Sequence, residues 1–367
     1  MSSELFEPMK FARGKAMRNR FMLAPMTNLQ SHQDGTLSDD EYHWLTLRAQ
    51  GGFGLTMTCA TYVQPAGKGF SGQLGIWSDK HLPGLERLAK GIAAAGSLSS
   101  VQLHHAGRRS PSDLTGEAPQ APWQDAETGA RALSTGEVEQ VVEDFILAAL
   151  RAERAGFDGV ELHGAHGYLL AQFLDAENNQ RADRYGGSFE NRTRIIFEII
   201  DGIRARAGAN FQLGIRLSPE RFGVTLAEAR TLTQQLLRGG KLDYIDMSLW
   251  DAFKEPVEAE FRGKPLIDYF TGLERGSTRL GVAGKIMDAA TARKCIEAGA
   301  DFVLIGRAGI LHHDFPQEVK ANPAFESIPR PVTRAYLREQ GLGPAFVDYM
   351  ATGWKGFVVA ESESQSN

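Results

Sequence analysis

Short apolar segments alternate with longer amphipathic segments along most of the chain. Eight of the apolar segments are five to seven residues long and rich in aliphatic and aromatic residues, which is typical of buried strands. We therefore predict strands at residues 21–25, 54–60, 98–103, 159–163, 212–218, 243–249, 279–284 and 301–306.

Helical patterns lie between these strands, and several carry recognisable start and stop residues. Ser38 followed by Glu41 has the spacing of a capping box, and Gly156 ends the segment that Ser134 or Thr135 begins. Within that segment apolar positions recur at the three- and four-residue spacing of a helix. The predicted helices cover residues 38–50, 83–96, 134–156, 188–207, 226–239, 268–274, 288–298 and 315–321.

Eight strand–helix alternations without a break imply parallel strands joined by crossover helices. An open, doubly wound sheet gives the same alternation, but eight units favour a closed (β/α)8 TIM barrel, an α/β fold. The units span residues 20–316, and these 297 residues lie within the usual size of such a barrel. We predict one barrel domain at residues 1–320. Residues 321–367 are predicted to be a C-terminal extension with a disordered tail at 361–367, not a separate domain.

Composition narrows the class of protein further. The chain is 42% hydrophobic and 23% charged, and its net charge of −5 argues against a nucleic-acid or membrane partner. No apolar run approaches the roughly 20 residues of a membrane span, and the charged N-terminus lacks a secretory signal. Two cysteines, Cys59 and Cys295, are too few for a disulfide framework or a thiolate metal centre, so we expect a cytoplasmic protein.

Glycine is over-represented, with 40 residues, and several glycines lie where predicted strands end. In TIM barrels the C-terminal strand ends carry function, and the turns after strands seven and eight commonly bind phosphate. Gly284 follows strand seven here, and Gly306 with Arg307 follows strand eight. Backbone N–H groups and a guanidinium at such turns favour an anion, so we predict a phosphate site. The alternative is that these glycines only form turns.

The segment HGAHGY at the end of strand four carries the most chemistry. His163 and His166 are three residues apart, as on one side of a helical turn, so both imidazoles are predicted to converge on one acceptor. Tyr168 adds an O–H of high pKa. This set is suited to activating a carbonyl and protonating its enolate. Two alternatives remain: a zinc site, although no companion carboxylate or thiol set stands out and we predict no metal, and purely structural histidines.

Two further side chains at strand ends suit the edge of a flavin. The carboxamide of Gln102 offers a donor and an acceptor, which fits an imide such as the flavin pyrimidine. Arg216, inside the barrel mouth, requires an anionic partner, and a reduced flavin is negative near N1. An internal salt bridge to Glu161 is an equally good explanation of Arg216.

Two other motifs stay without an assigned ligand. Residues 67–72 match GxGxxG, but the segment after them is not helical in pattern, so we reject a dinucleotide site there. His104 and His105 contact a ligand or have a structural role, and the sequence does not decide between the two.

Several motifs in this order resemble the Old Yellow Enzyme family of FMN-dependent ene-reductases. The resemblance covers most of the barrel and is carried by residues 19–27, 163–169, 179–192, 214–219 and 304–307. It implies FMN as the cofactor, held without a covalent bond, and NAD(P)H as the co-substrate. The cofactor-binding residues that it implies are Pro25, Met26, Thr27, Ala60, Gln102, Arg216, Gly284, Gly306 and Arg307.

The resemblance also implies a reaction. Substrates would be enones, enals or nitroalkenes, whose oxygen binds between His163 and His166. Hydride would pass from flavin N5 to Cβ while Tyr168 gives a proton to Cα. One departure concerns residues 175–176, which read Asp-Ala where many members read Ser-Pro, and this leaves the contribution of that loop open. With two cysteines, the chain resembles the short type without an iron–sulfur cluster.

Two other functions are consistent with some of these residues. A phosphosugar isomerase or aldolase would use the same phosphate site, and Lys285 is the only lysine placed near a strand end. A flavin-binding protein without turnover is a third possibility, disfavoured by the complete His–His–Tyr set.

The aromatic and arginine residues after Pro329 are predicted to pack on a partner subunit of a homo-oligomer or to line the edge of that subunit's pocket. The physiological substrate and the choice between NADH and NADPH stay open.

Overall fold

The computed structural model describes residues 4–360, in which eight parallel strands close into a barrel. Each strand pairs with the barrel strands before and after it in the chain, and the last pairs with the first, so the open sheet is excluded. The strands are β1 (Phe21–Leu23), β2 (Leu55–Tyr62), β3 (Leu98–His104), β4 (Gly159–Gly164), β5 (Gln212–Leu217), β6 (Tyr244–Ser248), β7 (Arg279–Ala283) and β8 (Phe302–Ile305). The predicted (β/α)8 fold is confirmed.

Helices surround the barrel and return the chain from one strand to the next. The main ones are α1 (Asp39–Gln50), α2 (Leu82–Ala94), α3 (Thr135–Arg154), α4 (Phe189–Arg206), α5 (Leu226–Arg238), α6 (Asp268–Thr271), α7 (Ala289–Glu297), α8 (Arg307–Leu311), α9 (Phe315–Ala321), α10 (Arg334–Glu339) and α11 (Pro344–Gly353). Short helices at Ser112–Thr115 and Leu169–Leu174 and a two-stranded sheet of Gln120–Ala121 and Arg131–Ala132 lie in the loops. No helix within residues 4–360 is long and apolar enough to cross a bilayer.

The element boundaries follow the capping residues in the sequence. The Ser38 hydroxyl accepts the N–H of Glu41, and Ser134, not Thr135, caps α3 in a complete capping box with Glu137. Strand β1 ends at Leu23, before the predicted Pro25, because proline has no N–H to donate to the ladder.

The core has two parts. Inside the barrel, apolar side chains such as Met22, Leu55 and Phe302 fill the end where the strands begin. Between the barrel and the helices lies a second, larger apolar layer. The carboxyl ends of the strands, in contrast, carry polar side chains, and this leaves them free to form a site.

The C-terminal extension packs against the barrel. The rings of Phe346 in α11 and Trp44 in α1 are 4.9 Å apart and nearly perpendicular, and Gly343 N–H donates to Gln30 Oε1 at 2.8 Å. These contacts place α11 beside the mouth of the barrel. The division at residue 320 stays a prediction, and the predicted disordered tail at 361–367 lies outside the described residues.

Candidate active site

A cavity of about 560 Å³ opens at the carboxyl ends of the strands. This volume lies within the usual range of small-molecule sites. Most of the residues singled out from the sequence line it, namely Pro25, Met26, Thr27, His166, Tyr168, Arg216, Gly284, Gly306 and Arg307. Ala60, Gln102 and His163 are buried in the barrel interior beside the lining residues.

The His–His–Tyr set forms one compact cluster. The ring centroid of His163 is 5.1 Å from that of His166 and 5.0 Å from that of Tyr168. The reason for this convergence differs from the one predicted. His163 is the last residue but one of β4, and the chain then turns through left-handed conformations at His166 (φ +61°) and Gly167 (φ +70°), so no helical turn is involved.

Both histidines of this cluster are held neutral. Burial lowers the pKa of His163 and of His166 well below the usual value, and the positive charges of Arg216 and Arg109 lower both pKa values further. Nδ1 of His163 accepts the N–H of Ala165 at 3.3 Å, which assigns its proton to Nε2. A neutral imidazole with one N–H is a hydrogen-bond donor to a carbonyl oxygen.

Arg109 belongs to the site, although it was not among the sequence-based candidates. Its guanidinium carbon lies 4.4 Å from the ring centroid of Tyr168, and its Nη1 donates to the carbonyl oxygen of His166 at 2.9 Å. The side chain also lines the cavity. Its position in the loop that follows β3, at a carboxyl strand end, was the signal in the sequence.

His104 and His105 lie behind the cavity and do not line it. Burial lowers the pKa of each to about 3, and the ring of His104 is 4.4 Å from that of Tyr168. Nδ1 of His104 faces Nε2 of Gln73 at 3.1 Å. Gly67 packs against the ring of His105, so the glycine-rich segment 67–72 supports this pair of histidines.

Arg216 has an internal partner, but it is not the predicted one. Its Nε lies 2.8 Å from Oδ2 of Asp246 on the neighbouring strand, where the two residues pair in register. Glu161 instead accepts from Gln102 Nε2 at 2.8 Å. Burial raises the pKa of both Glu161 and Asp246, whereas the charge of Arg216 lowers it. Arg216 also lines the cavity, so the salt bridge does not remove it from the site.

The end of the cavity that is predicted to bind phosphate is open and positive. A Cβ built on Gly306 would meet nothing closer than 3.9 Å, whereas one on Gly284 would lie 2.7 Å from the backbone nitrogen of Ala252. Arg307 follows directly, and burial together with the charge of Arg330 lowers its pKa. Two neighbouring guanidinium groups are stabilised by an anion. Lys285 is paired with Asp251 at 3.0 Å.

Backbone strain is concentrated around this cavity. Within residues 4–360, six residues other than glycine have positive φ angles, and four of them line the cavity. Those four are His166, Phe222, Trp250 and Lys285. Each such conformation costs of order 1–3 kcal/mol, and this kind of strain clusters at functional sites.

The C-terminal extension supplies part of the wall. Tyr349 and Met350 of α11, with Trp354 just after it, line the cavity of their own chain. The sequence shows that the region after Pro329 is rich in aromatic residues, but it does not show which part of the barrel this region contacts. Contact with a partner subunit stays a prediction.

These residues fit FMN. The cavity has the size of a cofactor site, Gln102 and Arg216 supply a carboxamide and a cation, and the Gly306–Arg307 turn offers an anion cradle. Two buried oxygens under the mouth, Oε2 of Glu161 and Oδ1 of Asp246, have no hydrogen-bond partner among residues 4–360, and they belong to the residues that hold Gln102 and Arg216. The fold and the site therefore define a TIM-barrel flavin oxidoreductase.

Comparison with known proteins gives the same class. Residues 4–325 match the model of the NADH:flavin oxidoreductase / NADH oxidase family, and the chain belongs to that family. It is 35% identical over 365 residues to the probable NADH-dependent flavin oxidoreductase YqiG of Bacillus subtilis (strain 168), covering 93% of this chain and 97% of the relative. It is 32% identical over 349 residues to the NADPH dehydrogenase of the same organism, covering 90% and 98%.

Solved structures with the same fold include two close neighbours. The Old Yellow Enzyme homologue from Zymomonas mobilis aligns with a TM-score of 0.76 and 26% identity, over 94% of this chain and 99% of that one. Morphinone reductase in complex with tetrahydroNAD aligns with a TM-score of 0.76 and 29% identity, over 94% and 96%. Some relatives are longer, and the chain spans 51% of the NADH oxidase of Thermoanaerobacter brockii.

The chain is thus an Old Yellow Enzyme-type oxidoreductase with FMN as its cofactor and NAD(P)H as its co-substrate, as the sequence motifs implied. Membership of this family excludes the alternative of a phosphosugar isomerase or aldolase.

Proposed function

We propose that this enzyme uses NAD(P)H to reduce the activated C=C bonds of α,β-unsaturated carbonyl or nitro compounds. The observation that carries the proposal is the cluster of two neutral imidazoles and one phenol, in which His166 and Tyr168 line the cavity and the ring of His163 contacts both. A carbonyl or nitro oxygen requires donors of this kind, and the atom next to it requires a proton.

The two histidines bind and polarise the substrate oxygen. His163 offers an Nε2–H, and His166, whose ring centroid lies 5.1 Å away, adds a second N–H. Because both rings are neutral, each donates a hydrogen bond without giving up its proton. Two such donors stabilise the negative charge that the oxygen gains when the β-carbon is attacked.

Tyr168 supplies the proton to the α-carbon. Its ring is held on two sides, by His163 at 5.0 Å and by Arg109 at 4.4 Å. The guanidinium stabilises the negative charge that develops on the phenol oxygen as the proton leaves. Arg109 therefore assists the proton transfer and fixes the direction of the phenol.

The barrel holds the cofactor beneath this cluster. Bound FMN, reduced by NAD(P)H, supplies the hydride that reaches the β-carbon. Pro25, Met26, Thr27, Ala60, Gln102 and Arg216 would hold its ring system. Gly284, Gly306 and Arg307 would bind its phosphate. In the net reaction the C=C bond gains a hydride and a proton, and NAD(P)H is oxidised to NAD(P)+.

The similarity to morphinone reductase supports a nicotinamide co-substrate for this enzyme. That protein has been solved with tetrahydroNAD, a nicotinamide analogue, and shares the fold over nearly its whole length. We propose that the nicotinamide ring and the enone use the same space above FMN in turn. No separate dinucleotide motif is then needed.

A substrate panel tests the proposal. The purified holoenzyme is supplied with NADH or NADPH and with 2-cyclohexenone, an enal, a maleimide or a nitroalkene, without oxygen. Consumption of the nicotinamide together with formation of the saturated product supports the proposal. Oxidation of the nicotinamide by oxygen alone, with none of the four classes reduced, would overturn it.

Location and assembly complete the proposal. Both cysteines are free and buried, in keeping with a reducing cytoplasm.

Trp354 is 37% exposed at the rim of the cavity, where a second copy of the chain could cover it. Sedimentation of the holoenzyme is expected to give a homo-oligomer, and a monomer at micromolar concentration would contradict this.

A further inference from the structure

Strand β6 places two polar side chains on the barrel side of the sheet, and both contact Arg216. Asp246 and Ser248 are two residues apart, so their side chains share one face of the strand. Asp246 lies 2.8 Å from Nε of Arg216, and the Ser248 hydroxyl accepts from Nη2 of the same guanidinium at 3.3 Å. All three residues are buried.

The same hydroxyl contacts the substrate-binding cluster. Oγ of Ser248 lies 2.8 Å from Nε2 of His166. The side chains thus form one continuous series, Asp246–Arg216–Ser248–His166, from the barrel interior to the wall of the cavity. Within residues 4–360, Arg216 and His166 are the two hydrogen-bond partners of this hydroxyl.

Hydrogen-bond directions along the series assign a tautomer. A guanidinium can only donate, so the Ser248 oxygen accepts from Arg216 and keeps its own hydrogen for another acceptor. A buried O–H is almost always satisfied, and the acceptor at hand is Nε2 of His166. If Nε2 accepts, the single proton of the neutral imidazole is on Nδ1.

We propose that Ser248 is a positioning residue that fixes His166 in the Nδ1–H tautomer, so that Nδ1–H is its donor to the substrate oxygen. This inference rests on the proposed function of His166. Arg216 polarises the hydroxyl, which strengthens its donation to Nε2. The arginine at the flavin edge thereby acts on the substrate site through one serine.

The opposite tautomer would leave the pocket without this donor. With the proton on Nε2, the imidazole would donate to Ser248, the serine O–H would lack an acceptor among residues 4–360, and Nδ1 would have no hydrogen to offer the substrate oxygen. The serine is therefore a determinant of affinity for carbonyl and nitro groups.

Nitrogen NMR of the holoenzyme tests the tautomer directly. The protein is labelled with ¹⁵N-histidine, and the His166 signals are identified as those missing from the His166→Gln variant. The wild-type protein is expected to show a protonated Nδ1 and an unprotonated Nε2. In Ser248→Ala the Nε2–H form is expected to appear, while Ser248→Thr, which keeps the hydroxyl, retains the wild-type pattern.

Ser218→Ala is the matched control. Ser218 also contacts His166, but its hydroxyl accepts the backbone N–H at 3.0 Å and does not touch the ring. Removal of that hydroxyl is expected to leave the ring tautomer unchanged. FMN content of each variant shows whether the barrel has folded.

Ligand affinity gives the second measurement. The Kd of 2-cyclohexenone for the oxidised holoenzyme, followed by the change in flavin absorbance, is expected to rise about tenfold in Ser248→Ala, as befits the loss of one donor. An Nε2–H tautomer in the wild type, or an unchanged tautomer in Ser248→Ala, would overturn the inference. If the tautomers behave as expected but no enone is reduced, the inference stands and the proposed function fails.

Discussion

Arg109 lies over the ring of Tyr168, with 4.4 Å between its guanidinium carbon and the ring centroid. The same guanidinium donates to the carbonyl oxygen of His166 at 2.9 Å. One cation therefore connects the proposed proton donor to the turn that carries a proposed oxygen-binding residue. This relationship makes Arg109 a test of the proton transfer.

We expect Arg109→Met to slow enone reduction about tenfold. A cation over an aromatic ring interacts with it by about 0.5–2 kcal/mol, and the substitution removes this stabilisation of the negative charge that develops on the phenol. The rate to measure is flavin reoxidation by 2-cyclohexenone. Arg108→Met is the matched control, since Arg108 is paired with Asp125 at 2.8 Å and does not line the cavity. Equal rates for the two variants would remove Arg109 from the mechanism.

The hydroxyl of Tyr168 is expected to matter more than the cation above it. Tyr168→Phe keeps the ring but removes the proton, and general acid catalysis contributes about 10²- to 10⁴-fold. Enone reduction should fall by that factor while flavin reduction by NAD(P)H stays near normal. Tyr185→Phe removes a hydroxyl that bonds to Glu198, outside the cavity, and should leave both half-reactions intact. A Tyr168→Phe enzyme with full enone turnover would refute the role of the phenol.

Binding of the substrate oxygen should not change with pH in the neutral range. Burial lowers the pKa of His163 and His166 well below 6.5, so both imidazoles stay neutral as the pH falls from 8 to 6. The Kd of 2-cyclohexenone for the oxidised holoenzyme is expected to be constant over that interval. A transition with a midpoint near 6.5, the ordinary histidine value, would show that a cationic histidine takes part in binding.

Arg307 is expected to recognise the phosphate and nothing else of the cofactor. Arg307→Ala should weaken FMN binding about 10- to 100-fold, because a hydrogen bond to a charged group contributes about 1.5–3 kcal/mol. Riboflavin, which has the same ring and no phosphate, should bind both proteins equally. Titration of the apoprotein with each flavin measures the two affinities. An equal loss for riboflavin and FMN would place the arginine at another part of the cofactor.

Much of the fold could be predicted from the sequence because it is set by local signals. Short apolar segments located all eight barrel strands, and the serines at positions 38 and 134 marked helix starts through hydrogen bonds within one turn. The helix predicted at residues 268–274 is shorter, Asp268–Thr271, since Gly272 ends it.

The contacts of the site that could not be predicted from the sequence depend on the register between strands and on tertiary packing. Arg216 pairs with Asp246 because β5 and β6 align these two positions, and no pattern within either strand reveals that alignment. The serine that follows two residues later, Ser248, was missed for the same reason. Tyr349 and Trp354 reach the cavity only because α11 packs on α1, which is a tertiary contact.

The central claim is that the reduced flavin of this enzyme passes its electrons to an activated C=C bond. The most direct measurement mixes the NADPH-reduced holoenzyme with 2-cyclohexenone in the absence of oxygen and follows the absorbance of oxidised flavin. We predict that the absorbance returns with formation of one cyclohexanone per flavin. A flavin that stays reduced in excess enone, yet reoxidises when oxygen is admitted, would contradict the claim.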